Sequence, residues 1–321
     1  MEGHDGDVLV AKDNTTTNSD KVIDKPTTDC YVVIDGALCN VQDVDAQTLD
    51  RLQGFDIQQL NKQKDSNVKI KLKISAEHAA SNKGKNLFKI LSWCSKNQVV
   101  PSNMEMLKFN LALLTFIKVK EAKECLVKVN SLNDKWLVGI IDKRLFSCKG
   151  VIADWPYDIP ELWKNMVDKD KDDIIKIERM KRRIWDKQTN KYISQFSGNF
   201  IVTMKGSILK DKFTIFENLH IMLRVRPYVE PVVQCYNCFM FGHIKAHCKR
   251  DVKCIICGDK AHGVCNDRLN CINCGEEHKS TDRRCPVFQK NKELKVIMAH
   301  NNISFIEAER LMFGKHDVPS T

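Results

Sequence analysis

Residues 235–248 read Cys235-Tyr-Asn-Cys238-Phe-Met-Phe-Gly-His243-Ile-Lys-Ala-His-Cys248, a C-x2-C-x4-H-x4-C spacing. Three thiolates and one imidazole make a closed tetrahedral shell suited to Zn²⁺, with bonds of ~2.3 Å to sulfur and ~2.0 Å to nitrogen. So short a loop cannot enclose a core, so metal binding must supply its folding energy. Two variants of the pattern follow. Cys254, Cys257, His262 and Cys265 are spaced C-x2-C-x4-H-x2-C, and Cys271, Cys274, His278 and Cys285 are spaced C-x2-C-x3-H-x6-C. Nine of the 14 cysteines lie between Cys235 and Cys285, and three such shells use all nine. The competing reading of a CxxC pair, redox chemistry, needs a helix start in a thioredoxin-like setting. Three pairs in succession, each followed by a histidine, favour metal. The prediction is up to three structural zinc ions. A closed shell leaves no position for an activated water, so no catalytic role is expected of them.

Zinc knuckles hold unpaired nucleic acid through apolar or aromatic flanking residues and nearby cations. The candidates are Tyr236, Phe239, Phe241, Ile244, Lys245, Lys249 and Arg250 in the first knuckle. Lys253 and Lys260 in the second, and Arg283 and Arg284 in the third, complete the set. The remaining histidine of the window, His247, reads as a surface or RNA-facing residue. The five scattered cysteines, Cys30, Cys39, Cys94, Cys125 and Cys148, read as ordinary thiols.

Charge supports a polyanionic partner without establishing one. The 321 residues carry 51 Lys and Arg against 41 Asp and Glu, a net +10. The balance is uneven: residues 1–66 hold 6 basic and 13 acidic side chains, residues 67–150 hold 16 and 6. A basic body suits RNA or single-stranded DNA, since each neutralised phosphate releases a counterion. Lysine-rich faces are also commonly just solvated.

Upstream of the knuckles the periodicity is mixed. Val68–Ile74 (VKIKLKI) alternates apolar residues with lysine, the mark of a half-buried strand. Asn86–Gln98 has helical spacing, Met104–Lys118 reads as one or two strands, Lys120–Leu132 as a helix, and Trp136–Ile141 as a strand. The order β-α-β-β-α-β is the split arrangement of ferredoxin-like and RRM folds. A weaker second copy is expected from strands at 150–154, 173–180, 199–204 and 219–225 and a helix over 158–167 capped by Asp158. KGSILKDKFTIFEN (205–218) is too short and irregular for its second helix. Neither unit offers the strand aromatics that base stacking needs. After the knuckles, 290–300 and 305–313 read as helices, the latter behind a Ser304/Glu307 capping box; they are expected to pack on the last knuckle or to self-associate.

The expected fold class is therefore α+β: an acidic, largely disordered leader (1–66), RRM-like unit 1 (67–143), RRM-like unit 2 (149–229), three CCHC knuckles (233–286) and a short helical tail (287–321). The first twenty residues lack an apolar h-region and no apolar run approaches the ~20 residues of a membrane span. The expectation is an intracellular protein with no membrane partner. With no P-loop, HExxH or paired nucleophile motif, no enzyme activity is expected.

Arg224–His243 (RVRPYVEPVVQCYNCFMFGH), Cys271–His278 (CINCGEEH) and Cys285–Leu311 together resemble the Gag-like nucleic-acid-binding proteins of insect non-LTR retrotransposons of the jockey and X-element kind. The resemblance covers about residues 149–312. It implies RRM-like domains ahead of terminal knuckles, coating of the element's RNA in cytoplasmic or nuclear ribonucleoprotein particles, and nucleic-acid chaperone activity. It also brings self-association and an element-encoded reverse transcriptase into view as partners. A host or domesticated CCHC zinc-finger protein in RNA processing or regulation is the alternative. A retroviral-type capsid would be mostly helical upstream, unlike the strand-rich pattern here.

Overall fold

A computed structural model of the chain describes residues 29–53 and 68–314. The expected disorder of Met1–Lys25 lies outside the described residues. In the stretch assigned to a largely disordered leader, two strands form, β1 (Cys30–Ile34) and β2 (Ala37–Asn40), followed by a short helix, α1 (Ala46–Gln53).

The alternation in VKIKLKI sets up the first α/β unit. Its elements are β3 (Val68–Ile74), α2 (Lys83–Lys96), β4 (Asn103–Lys108), β5 (Leu111–Phe116), α3 (Val119–Asn130) and β6 (Leu137–Ile141), in an antiparallel sheet of order β4-β5-β3-β6. The uncertain segment 104–118 is two strands. Val68, Ile70, Leu72 and Ile74 point inward and are fully buried with Ile90, Leu114, Phe116 and Leu126. Each such side chain contributes ~1.5–3 kcal/mol on leaving water. The thiols of Cys94 and Cys125 lie in this core, and burial pushes them up to about 11 and about 12. They behave as small hydrophobes, as their scattered positions suggest.

The second unit runs β7 (Ser147–Ile152), α4 (Ile159–Asn165), α5 (Asp168–Lys171), β8 (Ile174–Asp186), β9 (Lys191–Lys205), β10 (Lys212–Ile215) and β11 (Ile221–Pro227). It departs from expectation in three ways. Its sheet has seven strands, ordered β10-β11-β7-β9-β8-β1-β2, and so draws in the two strands of the leader. β1 joins β8 through Cys30↔Glu178, Tyr31↔Ile177 and Val32↔Lys176, and its apolar run CYVVI finds burial only at that distant edge.

The second departure is an extra strand; the segment 205–218, too short and irregular for a helix by its sequence, forms no α-helix. Where an RRM-like unit would place its second helix there is β10, whose Phe213 and Ile215 are buried with Phe200 and Val202. Lys-Phe-Thr-Ile alternates at period two, which a strand satisfies and a helix does not. Asp170, itself buried, fixes this strand by accepting from Thr214 N at 2.6 Å and pairing with Lys210 at 2.5 Å. The Asp158 cap is present, its side chain accepting from Glu161 N at 2.8 Å. The third departure is the length of β8 and β9, which run well beyond the sheet.

The tail forms α6 (Pro286–Asn301) and α7 (Phe305–Phe313), packed on each other through Leu294, Met298 and Ala308. It does more than cover the last knuckle. Asn302, in a left-handed conformation at the end of α6, has its amide nitrogen 2.8–3.2 Å from the carbonyls of Arg144, Ser147 and Ser207. Glu307 lies 3.4 Å from Lys69 and 3.9 Å from Lys71, and Arg310 bonds Glu105 and the Met106 carbonyl. Thus α7 lies against the lysine-bearing face of the first sheet. Leu113, opposite Lys71 in register, is buried on that face although the neighbouring Ala112 and Leu114 belong to the core on the other.

Burial raises the Glu307 carboxyl, but hydrogen bonds from the Ser304 hydroxyl and N–H and the charges of Lys71 and Lys69 outweigh it, leaving the pKa below its ordinary 4.5. A depressed folded pKa gives stability that is present above 4.5 and lost as the pH falls through the folded value. Glu307→Gln is expected to lower unfolding free energy by ~1 kcal/mol at pH 7, the scale of a lost cap, and by progressively less in acid, as measured by urea titrations at pH 7 and pH 3.5.

Candidate metal centres

All twelve predicted ligands converge into three clusters: Cys235, Cys238, His243 and Cys248; Cys254, Cys257, His262 and Cys265; Cys271, Cys274, His278 and Cys285. Within each cluster the ligand atoms lie within 4.8 Å of one another. A tetrahedral zinc shell has sulfur–sulfur edges of ~3.8 Å and sulfur–nitrogen edges of ~3.5 Å, from the bond lengths above. Here Cys271 and Cys285 sulfurs are 3.8 Å apart, and Cys285 and Cys274 sulfurs 3.6 Å. The histidine Nε2 atoms lie 3.4, 3.3 and 3.1 Å from Cys238, Cys257 and Cys274. The donor set and its spacing fit a four-coordinate zinc ion.

The three clusters share one turn. The N–H of the first cysteine donates to the carbonyl five residues on: Cys235 to Met240, Cys254 to Asp259, Cys271 to Glu276. The N–H of the residue after the second cysteine returns to the first cysteine's carbonyl, from Phe239, Gly258 and Gly275. That residue is left-handed in every case, with φ of 55°, 78° and 78°. Glycine suits it; the first knuckle places a phenylalanine there. The altered spacings therefore act only after that turn: they change the route of the last cysteine in the second knuckle, and of the histidine and last cysteine in the third.

This turn also aims N–H groups at the leading sulfur. At Cys254 the N–H groups of Cys257 and Ile256 bring the thiol down to about 7. At Cys235 and Cys271 burial pushes the thiol up, but the N–H groups two and three residues on more than offset it, and both fall below the ordinary value. In each knuckle the turn thus eases ionisation of the leading cysteine, the form in which a thiol binds metal. His278 Nδ1 lies 2.9 Å from the Lys279 carbonyl, which presents Nε2 to the cluster.

The knuckles are also fastened together. Gln234 Nε2 donates to the carbonyls of Phe239 and Ser280, at 2.9 and 2.7 Å, joining the first knuckle to the third. Asn273 Nδ2 returns to the Phe239 carbonyl at 3.0 Å. Lys253 N donates to the Asn237 carbonyl, and Ser280 N to that of Ile255. The Phe241 ring stands 6.0 Å from that of Phe288 in α6. Sequence reading missed these linkers, although a repeated signal was there: asparagine precedes the second cysteine in both CYNC and CINC. Asn237 Nδ2 there lies 3.4 Å from the Cys248 sulfur and 2.9 Å from the Arg250 carbonyl.

The proposed nucleic-acid contacts divide on burial. Tyr236, 72% exposed, and Ile244 stand out from the first knuckle with Lys245, Lys249 and Arg250 exposed beside them. Phe239 is buried, and Phe241 is half-buried with its ring beside that of Phe288, so both rings are less open than that of Tyr236. Lys260 and Arg283 are exposed and Lys253 is half-buried. Arg284 is engaged with Asp282 at 2.8 Å.

Three linked three-cysteine, one-histidine clusters define a small metal-binding array of structural type, joined to a mixed α/β body. The chain is similar to the nucleic-acid-binding protein from mobile element jockey of Drosophila funebris, 37% identical over 89 residues, or 26% of this chain and 16% of that protein. It is likewise similar to the protein of the same description from Drosophila melanogaster, 42% identical over 69 residues, 20% of this chain and 12% of that protein. The matched stretch is thus a small part of either curated relative. No family model and no solved structure matches the chain. Among the described residues no helix is long and apolar enough to cross a membrane.

Cys285 is at once the last ligand of the third cluster and the residue from which α6 departs. Cys285→Ser is expected to reduce bound zinc from three ions per chain to two, measured by metal analysis of purified protein, and to lower helical ellipticity as α6 loosens. Retention of three ions would remove Cys285 from the ligand set.

Proposed function

We propose that this chain binds RNA or single-stranded DNA through its zinc knuckles and coats retrotransposon RNA in ribonucleoprotein particles, with nucleic-acid chaperone activity and no catalytic role. The observation that carries the reading is the exposure, within one 14-residue knuckle and the two residues after it, of Tyr236 and Ile244 together with Lys245, Lys249 and Arg250. An exposed ring can stack on any base, and the cations can neutralise neighbouring phosphates; together they grip unpaired strands with little sequence preference. The names of the two Drosophila relatives support nucleic acid as the ligand.

Zinc in the three clusters would act by fixing the turns, so that metal and binding face are coupled through folding. The α/β body is read as RRM-like, the first unit by its sheet order β4-β5-β3-β6 and the second by the corresponding β11-β7-β9-β8. In the first unit the face an RRM uses for RNA is partly covered by α7, through Glu307 and Arg310, and it lacks the aromatics that base stacking needs. The body would then serve as the scaffold of the particle, with self-association and an element-encoded reverse transcriptase as further partners.

Fluorescence anisotropy with a labelled single-stranded RNA tests this. Tyr236→Ala is expected to weaken binding about tenfold, in line with ~1–3 kcal/mol per stacked base. Lys245→Gln with Lys249→Gln should flatten the salt dependence by ~0.7 in log–log slope for each phosphate no longer neutralised. Zinc chelation should weaken binding to a similar or greater extent. Unchanged affinity across all three would refute the knuckle as the binding face.

A further inference from the structure

The β8–β9 hairpin extends past every neighbour. β9 pairs with β7 only over 200–205, and β8 pairs with β1 only over Lys176–Glu178. From Lys181↔Phe196 to Asp186↔Lys191 the two strands pair with each other alone. Six residues per strand make an arm about 20 Å long. None of its residues belongs to a hydrophobic core. A lone two-stranded ribbon is marginal in water, so its composition calls for a reason.

The arm concentrates cations. Lys181, Arg182, Arg183, Lys187 and Lys191 are all exposed, and among the described residues none pairs with an acid. The single carboxylate, Asp186, is spent inside the turn, accepting from Gln188 N at 3.0 Å and the Thr189 hydroxyl at 2.6 Å. Crowded like charges disfavour the ribbon until a polyanion neutralises them.

One face of the arm also carries rings. Residues opposite one another in register share a face, which puts Lys181, Arg183 and Trp185 together with Phe196, Ser194 and Tyr192. Lys181 lies over the Phe196 ring at 4.8 Å and Arg183 over Tyr192 at 5.1 Å. Trp185 and Tyr192 meet edge to face, with centroids 4.9 Å apart, yet stay 50% and 61% exposed. Cations alternating with open rings along an edge are what a flexible phosphate chain with unstacked bases can use.

We infer that the β8–β9 arm is a second site for single-stranded nucleic acid, independent of zinc, in which Trp185 and Tyr192 stack bases while Lys181 and Arg183 on the same face, and Lys187 at the turn, contact phosphates. It rests on the nucleic-acid reading above but not on the metal clusters. The bland alternative is that the rings only brace the ribbon.

Anisotropy titrations of the full-length chain with a labelled 20-nucleotide single-stranded RNA, across a salt series and with or without chelator, separate these. The triple change Lys181→Gln, Arg183→Gln, Lys187→Gln leaves the rings in place; it should make the log–log salt slope shallower by about 2, at ~0.7 per phosphate contact on a single strand. Trp185→Leu with Tyr192→Leu keeps those two positions apolar and leaves every charge of the arm in place; it should weaken binding about tenfold at fixed salt with no change in slope or thermal midpoint. Both effects should persist in chelator. Salt-series binding by both variants that matches the unmodified chain overturns the arm, as does a ring variant that weakens binding only by lowering the thermal midpoint while the charge variant changes nothing. If the unmodified chain fails to hold the RNA at all, the nucleic-acid reading itself falls. If Tyr236→Ala and chelation abolish binding while both arm variants bind normally, only the arm is lost.

Discussion

Coordination by thiolate and imidazole is the constraint on which the carboxyl-terminal part of this structure depends. Between Cys235 and Cys285 the inward-facing residues are chiefly the ligands themselves, with Phe239 and Ser280. There is too little apolar surface to offset the entropy of ordering so many residues, so the turns need a metal to hold them. The three knuckles meet this need identically, with the same pair of backbone hydrogen bonds and the same left-handed residue, whatever the length of the closing loop. Their stacking through Gln234, Asn273 and Ser280 then makes one body of what the spacing alone would leave as three beads.

That body is tied to the rest by the helices after Cys285. Helix α6 leaves directly from the third cluster, stands against the first knuckle through Phe288, and ends at Asn302 beside carbonyls of the linker between the two α/β units (Arg144) and of the second unit (Ser147, Ser207). Helix α7 then pairs Glu307 with the lysines of β3 and Arg310 with Glu105. Such links are individually modest, since exposed ion pairs contribute little. Their effect is directional: they commit the basic face of the first sheet to an internal partner.

The distribution of charge follows from this. Lysines that look alike in sequence have different fates. Lys69 and Lys71 are neutralised by Glu307 and Asp142, whereas the cations of the β8–β9 arm and the first knuckle's outer face remain free to meet solvent. A positive net charge alone could not say which were which.

The sequence by itself determined the ligand sets, because coordination chemistry restricts residue types and spacings so narrowly that nine cysteines and three histidines admit few other readings. It also determined β3, the Asp158 cap and the Ser304/Glu307 box, all of them signals contained within a few residues. Only the tertiary structure decided that residues 30–40 complete a sheet begun more than a hundred residues later, that β10 stands where a helix would, that Phe239 is buried, and that the tail packs on part of the outer face of β3. Each of those depends on which surface a segment meets across the fold, and local periodicity carries no record of a distant partner.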